Sequence, residues 1–212
     1  QFGPRATRID YDVINTVRVS YVDDVRNACP HLFHLAWPGV ASDQLWLAFH
    51  DFRRLFRGQA EGYVGCDTLY HDQQHSLDVT LAMGRLQAGY EQTAPEPDRL
   101  GHERALVGLI CALFHDSGYI RRVGERTRNG AEFTPHHISR SAGFLTGYLP
   151  RIGLGHWVQV AQQVVHFTGY EMPVNSIQIE PQYRMVGNLL GSADILAQMA
   201  DRYYLEKCHD RL

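Results

Sequence analysis

The sequence has few cysteines, a single lysine and no long apolar run. We interpret the scarcity of lysine as compositional bias, whereas the other two shortages exclude classes of protein. Its four cysteines are far apart and no two form a CxxC pair, so we expect neither a zinc ribbon nor a disulfide framework. The longest apolar run, residues 105–114, covers about half of a membrane span and therefore predicts a buried helix. The first residues do not form a basic segment followed by an apolar one, the pattern of a secretory leader. This favours a cytoplasmic protein with reduced cysteines and no membrane partner.

The composition is that of an ordinary globular domain. Hydrophobic residues make up 44% of the 212 residues and charged residues 20%, a balance that argues against disorder. A formal charge of -3 provides no basic surface, so we expect no nucleic-acid partner. The length suits one domain over residues 1–212, in which helices within residues 1–60 pack on a core formed by residues 61–208.

Glycine and proline divide the chain into segments with helical periodicity, and no segment is convincing as part of a sheet. The predicted helical segments are residues 8–29 (one or two helices ending near Pro30), 42–58, 75–89, 101–118, 134–150, 155–169 and 182–208. Thr134 is the expected N-cap of the segment that it opens. Residues 172–182 form a linker with room for a short extended piece. The prediction is an all-α, single-domain helical bundle.

Several of the 12 histidines lie near carboxylates in the sequence, at positions that allow a metal site. His71 and His75 are four residues apart in LYHDQQHSLDV, residues 69–79. His115 and Asp116 end the apolar run, where a charged aspartate is costly unless it is paired or bound to a cation. Asp194 lies in the mostly apolar residues 189–200, and a divalent metal would likewise remove the cost of burying its charge.

Helix geometry favours His137 over its neighbour His136 as a metal ligand. The helical face of His137 is the more apolar of the two and should be the buried one. His166 is a further candidate near a helix end, although its helical neighbours are glutamines. Imidazole with carboxylate is the ligand set of transition metals. We therefore expect one or two divalent metal ions, drawn from Fe, Mn, Mg, Zn or Ni.

The order His, His-Asp, His, His, Asp on successive helices resembles the HD superfamily of metal-dependent phosphohydrolases. YHDQQHSLDV (70–79) is similar to a signature of class I cyclic-nucleotide phosphodiesterases, and FHD (114–116) matches their second motif. HHISRSAGFL (136–145) and VVHFTGY (164–170) resemble the extra histidine segments of dinuclear members, including the HD-GYP branch. ADILAQMADRYYLEK (193–207) resembles the final aspartate helix. The resemblance covers residues 70–205, most of the chain.

The resemblance implies a ligand set and a catalytic acid. A first metal would be bound by His75, His115, Asp116 and Asp194, and Asp116 would bridge to a second metal held also by His137 and His166. His71 corresponds to the histidine that protonates the leaving oxygen. The implied activity is hydrolysis of a phosphoester, of a nucleotide or a related small phosphorylated molecule, by a hydroxide that the metals activate.

Two positions depart from the family pattern and leave the chemistry open. Tyr119 stands where relatives have His or Lys, and Asp72 stands where the phosphodiesterases have Asn. One alternative is therefore a di-iron member that activates oxygen and cleaves C–C or C–P bonds, and another is a non-catalytic metal sensor. Arg121 and Arg122 follow the His-Asp pair and are candidates to hold a substrate phosphate.

Overall fold

The architecture is all-helical, as predicted. A computed structural model describes residues 10–201, and within that range it has no β-strand, only isolated bridges that join Tyr11 to Arg18 and Tyr63 to Arg122. Seven α-helices are present in this range: α1 Val22–Ala36, α2 Asp43–Phe56, α3 Gln73–Thr93, α4 His102–Phe114, α5 His137–Tyr148, α6 Val158–Val165 and α7 Pro181–Ala200. Short 3-10 turns connect several of them. None of the helices in residues 10–201 is long and apolar enough to cross a membrane.

The apolar run of the sequence forms the central helix, α4. Every residue from Ala105 to Phe114 is buried, because helices pack on several sides of it. α2 places Phe52 edge-on against Phe114, with ring centroids 5.9 Å apart. Burial of a phenylalanine of this kind contributes about 1.5–3 kcal/mol. The residue that follows this apolar helix is His115, so the packing of α4 delivers the His-Asp pair to the interior.

α3 is the second central element and contacts α1, α4 and α7. It is capped by Asp72, whose side chain accepts a hydrogen bond from the backbone N–H of His75 at 3.0 Å. This cap gives Asp72 a structural role at the start of α3. It also means that His71 precedes the helix, whereas His75 lies in its first turn.

Some predicted boundaries are wrong. Residues 10–21 form turns rather than a helix, and α1 continues through Pro30 to Ala36 instead of ending there. A proline inside a helix removes a backbone donor and costs about 3 kcal/mol. The burial of Cys29 and Phe33 on either side of it offsets this cost. The predicted end of the last helix at Cys208 lies outside the described residues. The linker 172–182 contains a 3-10 turn, Val174–Ser176, with extended backbone at Pro173 and Ile177 on either side of it.

The start of α5 also differs from the prediction. Thr134 is not its N-cap, because α5 begins at His137 and the Thr134 hydroxyl donates to the carbonyl of Ala131. The cap comes instead from Glu171, whose carboxylate accepts from the backbone N–H of Ile138 at 2.6 Å and from that of Ser139 at 3.1 Å. A carboxylate at this end also suits the positive end of the helix dipole.

Candidate metal centre

Two buried carboxylates lie at the centre of the candidate site. Asp116 follows α4 and is 2% exposed, and Asp194 lies on α7 and is 5% exposed. A carboxylate buried to this degree needs partners that compensate for its lost hydration. Those partners are His71 and His75 at the start of α3, His115 beside Asp116, and His137 at the start of α5.

Asp116 is surrounded by imidazoles. Its Oδ2 atom lies 2.9 Å from Nδ1 of His71, 3.5 Å from Nε2 of His75 and 3.4 Å from Nε2 of His115, and its Oδ1 atom lies 4.0 Å from Nε2 of His137. Burial acts to raise the pKa of Asp116, but the neighbouring His115 and His71 outweigh it, and the pKa lies well below its usual range. The carboxylate is therefore ionised at neutral pH.

Asp194 shares two of these histidines. Its Oδ1 atom lies 3.2 Å from Nε2 of His75 and 3.9 Å from Nε2 of His115, and it accepts a hydrogen bond from Gln198 at 3.1 Å. Burial acts to raise the pKa of Asp194, yet the same two histidines bring it below the ordinary value. His75 and His115 thus lie between two anionic carboxylates.

Backbone carbonyls set the orientation of two imidazoles. Nδ1 of His115 donates to the carbonyl of Ala112 at 2.7 Å, and Nδ1 of His137 donates to the carbonyl of Thr134 at 2.8 Å. Since a carbonyl only accepts, the proton of each neutral ring is on Nδ1, and the lone pair of Nε2 points toward the carboxylates. This is the tautomer that binds metals in proteins.

The donor atoms fit a cation. Nε2 of His75 and Nε2 of His115 are buried and make no hydrogen bond of good geometry, although carboxylate oxygens lie within 4 Å of each. Buried polar atoms without a partner are rare, and a metal ion between such nitrogens and oxygens satisfies all of them. Among residues 10–201, two groups have ligand atoms that lie within 4.8 Å of one another: His71, His75 and Asp116, and His75, His115 and Asp194. Nitrogen with oxygen ligands suits Fe, Mn, Zn or Ni.

His71 belongs to the first of these groups, although the resemblance to the HD superfamily implied a proton donor. Its side chain is 21% exposed, against 3% for His75 and 1% for His115. Burial acts to lower the pKa of His71, but Asp116 raises it further, so the net shift is upward. His71 is thus the most exposed imidazole of the cluster, and its own pKa is raised.

The structure places the remaining predicted residues as follows. His137, not His136, faces Asp116; His136 is exposed and packs on Phe133. His166 is in neither ligand group, its Nδ1 atom is buried without a hydrogen-bond partner, and its role as a ligand stays a prediction.

The two arginines have surroundings of their own. Arg121 pairs with Asp67 at 2.7 Å, and Arg122 is exposed. Their predicted role in holding a phosphate is not tested by this geometry.

Two further residues of the site are absent from the sequence-based prediction. Tyr119 lies against both His71 and His137, with ring centroids 4.2 and 4.3 Å away. Its position three residues after Asp116 was the only signal in the sequence. Glu171, which caps α5 beside His137, had no sequence signal because it lies more than 30 residues away in the chain.

In the metal-free protein, the stability that His71 contributes should decrease as the pH rises. The folded pKa of His71 is raised above 6.5, so proton binding favours the folded state. This contribution is complete below the unfolded value and is lost as the pH passes the raised folded value. Thermal melts with a chelator between about pH 5 and about pH 9 measure it. His71→Gln should reduce the dependence, and identical pH profiles for variant and wild type would contradict the assignment.

No protein-family model matches this chain, and comparisons with curated proteins and with solved structures also found no match. The functional interpretation therefore depends on the side chains that surround Asp116 and Asp194.

Proposed function

We propose that the chain is a metal-dependent phosphohydrolase of the HD type that cleaves a phosphoester of a nucleotide or a related small molecule. The observation that supports this most is the convergence of His71, His75, His115 and His137 on the single carboxylate of Asp116. Four imidazoles around one buried aspartate exceed what a structural ion pair needs. The exposure of His71 gives the cluster a side that solvent reaches.

In this proposal His75, His115, Asp116, Asp194 and His137 hold one or two divalent cations. A cation bound there supplies Lewis acidity that activates water and neutralises charge on a phosphate. The carbonyl contacts to His115 and His137 keep their rings oriented, and the shared carboxylates keep the donor atoms together. Because Asp194 is buried, bulk water does not reach the side of the site that faces the protein core.

His71 is the proton donor in the proposal. Asp116 accepts a hydrogen bond from its Nδ1 atom, which orients the ring and leaves Nε2 for a proton. The raised pKa of His71 increases the protonated fraction near neutral pH. A proton at Nε2 can pass to the oxygen that leaves phosphorus, a step worth roughly 10²–10⁴-fold in rate.

The first experiment measures metal content and activity together. Freshly purified protein is analysed for bound transition metals and then assayed, with added Mn²⁺, on an aryl phosphodiester and an aryl phosphomonoester. Bound metal with metal-dependent hydrolysis supports the proposal. Failure to hydrolyse any phosphoester, together with substrate-dependent oxygen uptake, would show an oxygenase instead, and failure of both reactions in a metal-loaded protein would show a non-catalytic metal site.

His71→Ala should reduce the hydrolysis of an alkyl phosphoester by roughly 10²–10⁴-fold, because an alkoxide needs a proton to leave. An aryl ester with a good leaving group should be affected much less. Metal content should stay close to that of the wild type. His136→Ala is the matched control, since His136 is exposed and packs on Phe133. Equal losses for both esters, or loss of the metal, would mean that His71 is a ligand rather than the acid.

A further inference from the structure

The ring of Tyr119, called the aromatic floor below, contacts two imidazoles of the candidate centre. The ring of Tyr119 is nearly parallel to that of His71, with an interplanar angle of 17°, and to that of His137, with an angle of 25°. The centroids are 4.2 and 4.3 Å from that of Tyr119. Tyr119 itself is 1% exposed. Both imidazoles therefore stack on one buried phenol ring.

The two imidazoles are also close to each other. Their own centroids are 5.9 Å apart. Tyr119 therefore contacts both rings, and the three rings form one cluster. From this position each ring directs a nitrogen toward Asp116, Nδ1 from His71 and Nε2 from His137.

The backbone that carries the floor is attached to the start of α5. The N–H of Gly118 donates to the Ser141 hydroxyl at 2.8 Å, and that hydroxyl donates to the carbonyl of His137 at 3.0 Å. The guanidinium of Arg140 donates to the carbonyl of Gly118 at 2.7 Å and to that of Ile120 at 3.2 Å. These bonds tie the residues on both sides of Tyr119 to the helix that begins with His137.

The floor acts through its shape rather than through charge. Burial raises the pKa of the Tyr119 phenol, so it is neutral at physiological pH. The carbonyl of Thr134 accepts the Nδ1 hydrogen of His137. The flat ring of Tyr119 therefore determines where the imidazoles lie.

We propose that Tyr119 is a positioning residue whose ring face sets the spacing of His71 and His137 around Asp116. Its consequence for cation binding rests on the proposed metal centre. A side chain without a flat ring at this position would leave both imidazoles free to rotate away from the carboxylate of Asp116. Residues that only support metal ligands typically change affinity by roughly 10–100-fold when they are replaced.

The experiment compares Tyr119→Leu with Tyr119→Phe by equilibrium binding of Co²⁺, followed by its visible absorption spectrum. Tyr119→Leu should weaken binding by roughly 10–100-fold and change the spectrum, because the floor is lost. Tyr119→Phe keeps the flat ring and should stay close to the wild type in both measurements. Equal losses in the two variants, or an unchanged Tyr119→Leu, would overturn the proposal.

Tyr148→Leu is the control for a general loss of packing. Tyr148 is also a buried tyrosine, 3% exposed. It stacks on Phe144 and packs at a tilt against Phe114, and its hydroxyl donates to Asp51 at 3.2 Å. This change should lower the melting temperature and leave Co²⁺ affinity and spectrum unaltered. Weaker Co²⁺ binding in Tyr148→Leu, to the degree seen in Tyr119→Leu, would overturn the proposal, because loosened packing would explain both.

Nuclear magnetic resonance of the metal-free protein separates this inference from the proposed function. Overhauser contacts between Tyr119 and the rings of His71 and His137 are expected in the wild type, as is a contact between the two imidazoles. The imidazole contact should disappear in Tyr119→Leu and persist in Tyr119→Phe. If the wild type binds no cation, the proposed function fails, and these contacts still decide whether Tyr119 positions the histidines. Their absence in the wild type, or persistence in Tyr119→Leu, would overturn the inference.

Discussion

Asp116→Asn should weaken the binding of a transition-metal cation by more than about 100-fold, the upper value typical of residues that only support a ligand. Among the residues that the structure describes, Asp116 is the one carboxylate that lies near His71, His75, His115 and His137 together. Asparagine keeps the size and one carbonyl oxygen but removes the negative charge. In a buried site that charge is the main attraction for a cation. Titration with Mn²⁺ or Co²⁺ against a competing chelator measures the loss.

The same substitution elsewhere provides the control for Asp116→Asn. Asp23 on α1 is paired with Arg26 at 2.9 Å and with Arg53 at 2.5 Å. Asp23→Asn weakens partly exposed ion pairs that contribute little to folding stability, and it should leave cation affinity unchanged. Wild-type affinity in Asp116→Asn would show that the cation binds somewhere other than this cluster. Hydrolysis of a phosphoester that survives in Asp116→Asn would contradict the proposed function.

Gly118→Ala should destabilise the protein on the order of 3–5 kcal/mol and lower its melting temperature by roughly 10 °C. A Cβ atom at Gly118 would overlap the backbone carbonyl of His137 and lie 2.9 Å from Cβ of Arg140. Neither neighbour can give way easily, because the backbone of Gly118 bonds to Ser141 and Arg140 on either side. The turn that carries Tyr119 would have to separate from α5. Thermal and denaturant unfolding measure the change.

Cation affinity should also fall in Gly118→Ala, since the separation moves the floor away from His137. Gly147→Ala is the matched control on α5, where a Cβ atom meets nothing within 4 Å. Alanine in an open helical position should stabilise by about 0.4–1 kcal/mol. A Gly118→Ala protein as stable as the wild type would mean that the close packing of this turn on α5 is not present in solution.

The sequence predicted the all-α fold well because its strongest signals are periodic and local. The run 105–114 is apolar on all sides, and it forms the buried helix α4. Periodicity failed where packing outweighed local preference. Pro30 predicted a helix end, yet the buried side chains around it keep α1 helical to Ala36. Thr134 has the chemistry of an N-cap, yet Glu171 from a distant segment provides the cap of α5.

The candidate site was also predicted in part. A histidine and an aspartate at the end of an apolar helix have to be buried, and this reasoning correctly led to Asp116 and Asp194 as interior carboxylates. The face argument favoured His137, which the structure places beside Asp116. Tyr119 was noticed only as a departure from a family pattern. Its contact with two imidazoles depends on three segments that are remote in sequence, so no local pattern revealed it.

The amino-acid sequence by itself determined that this chain is helical and that its histidines and aspartates occur at the ends and on the buried faces of helices. Only the tertiary structure decided which of them meet, which ring nitrogen each presents, and which neighbours hold them there. The physical reason is the distance along the chain between the residues that interact. Helix formation and burial depend on residues within a few turns, whereas the approach of His71, Asp116 and Asp194 depends on how α3, α4 and α7 pack against one another.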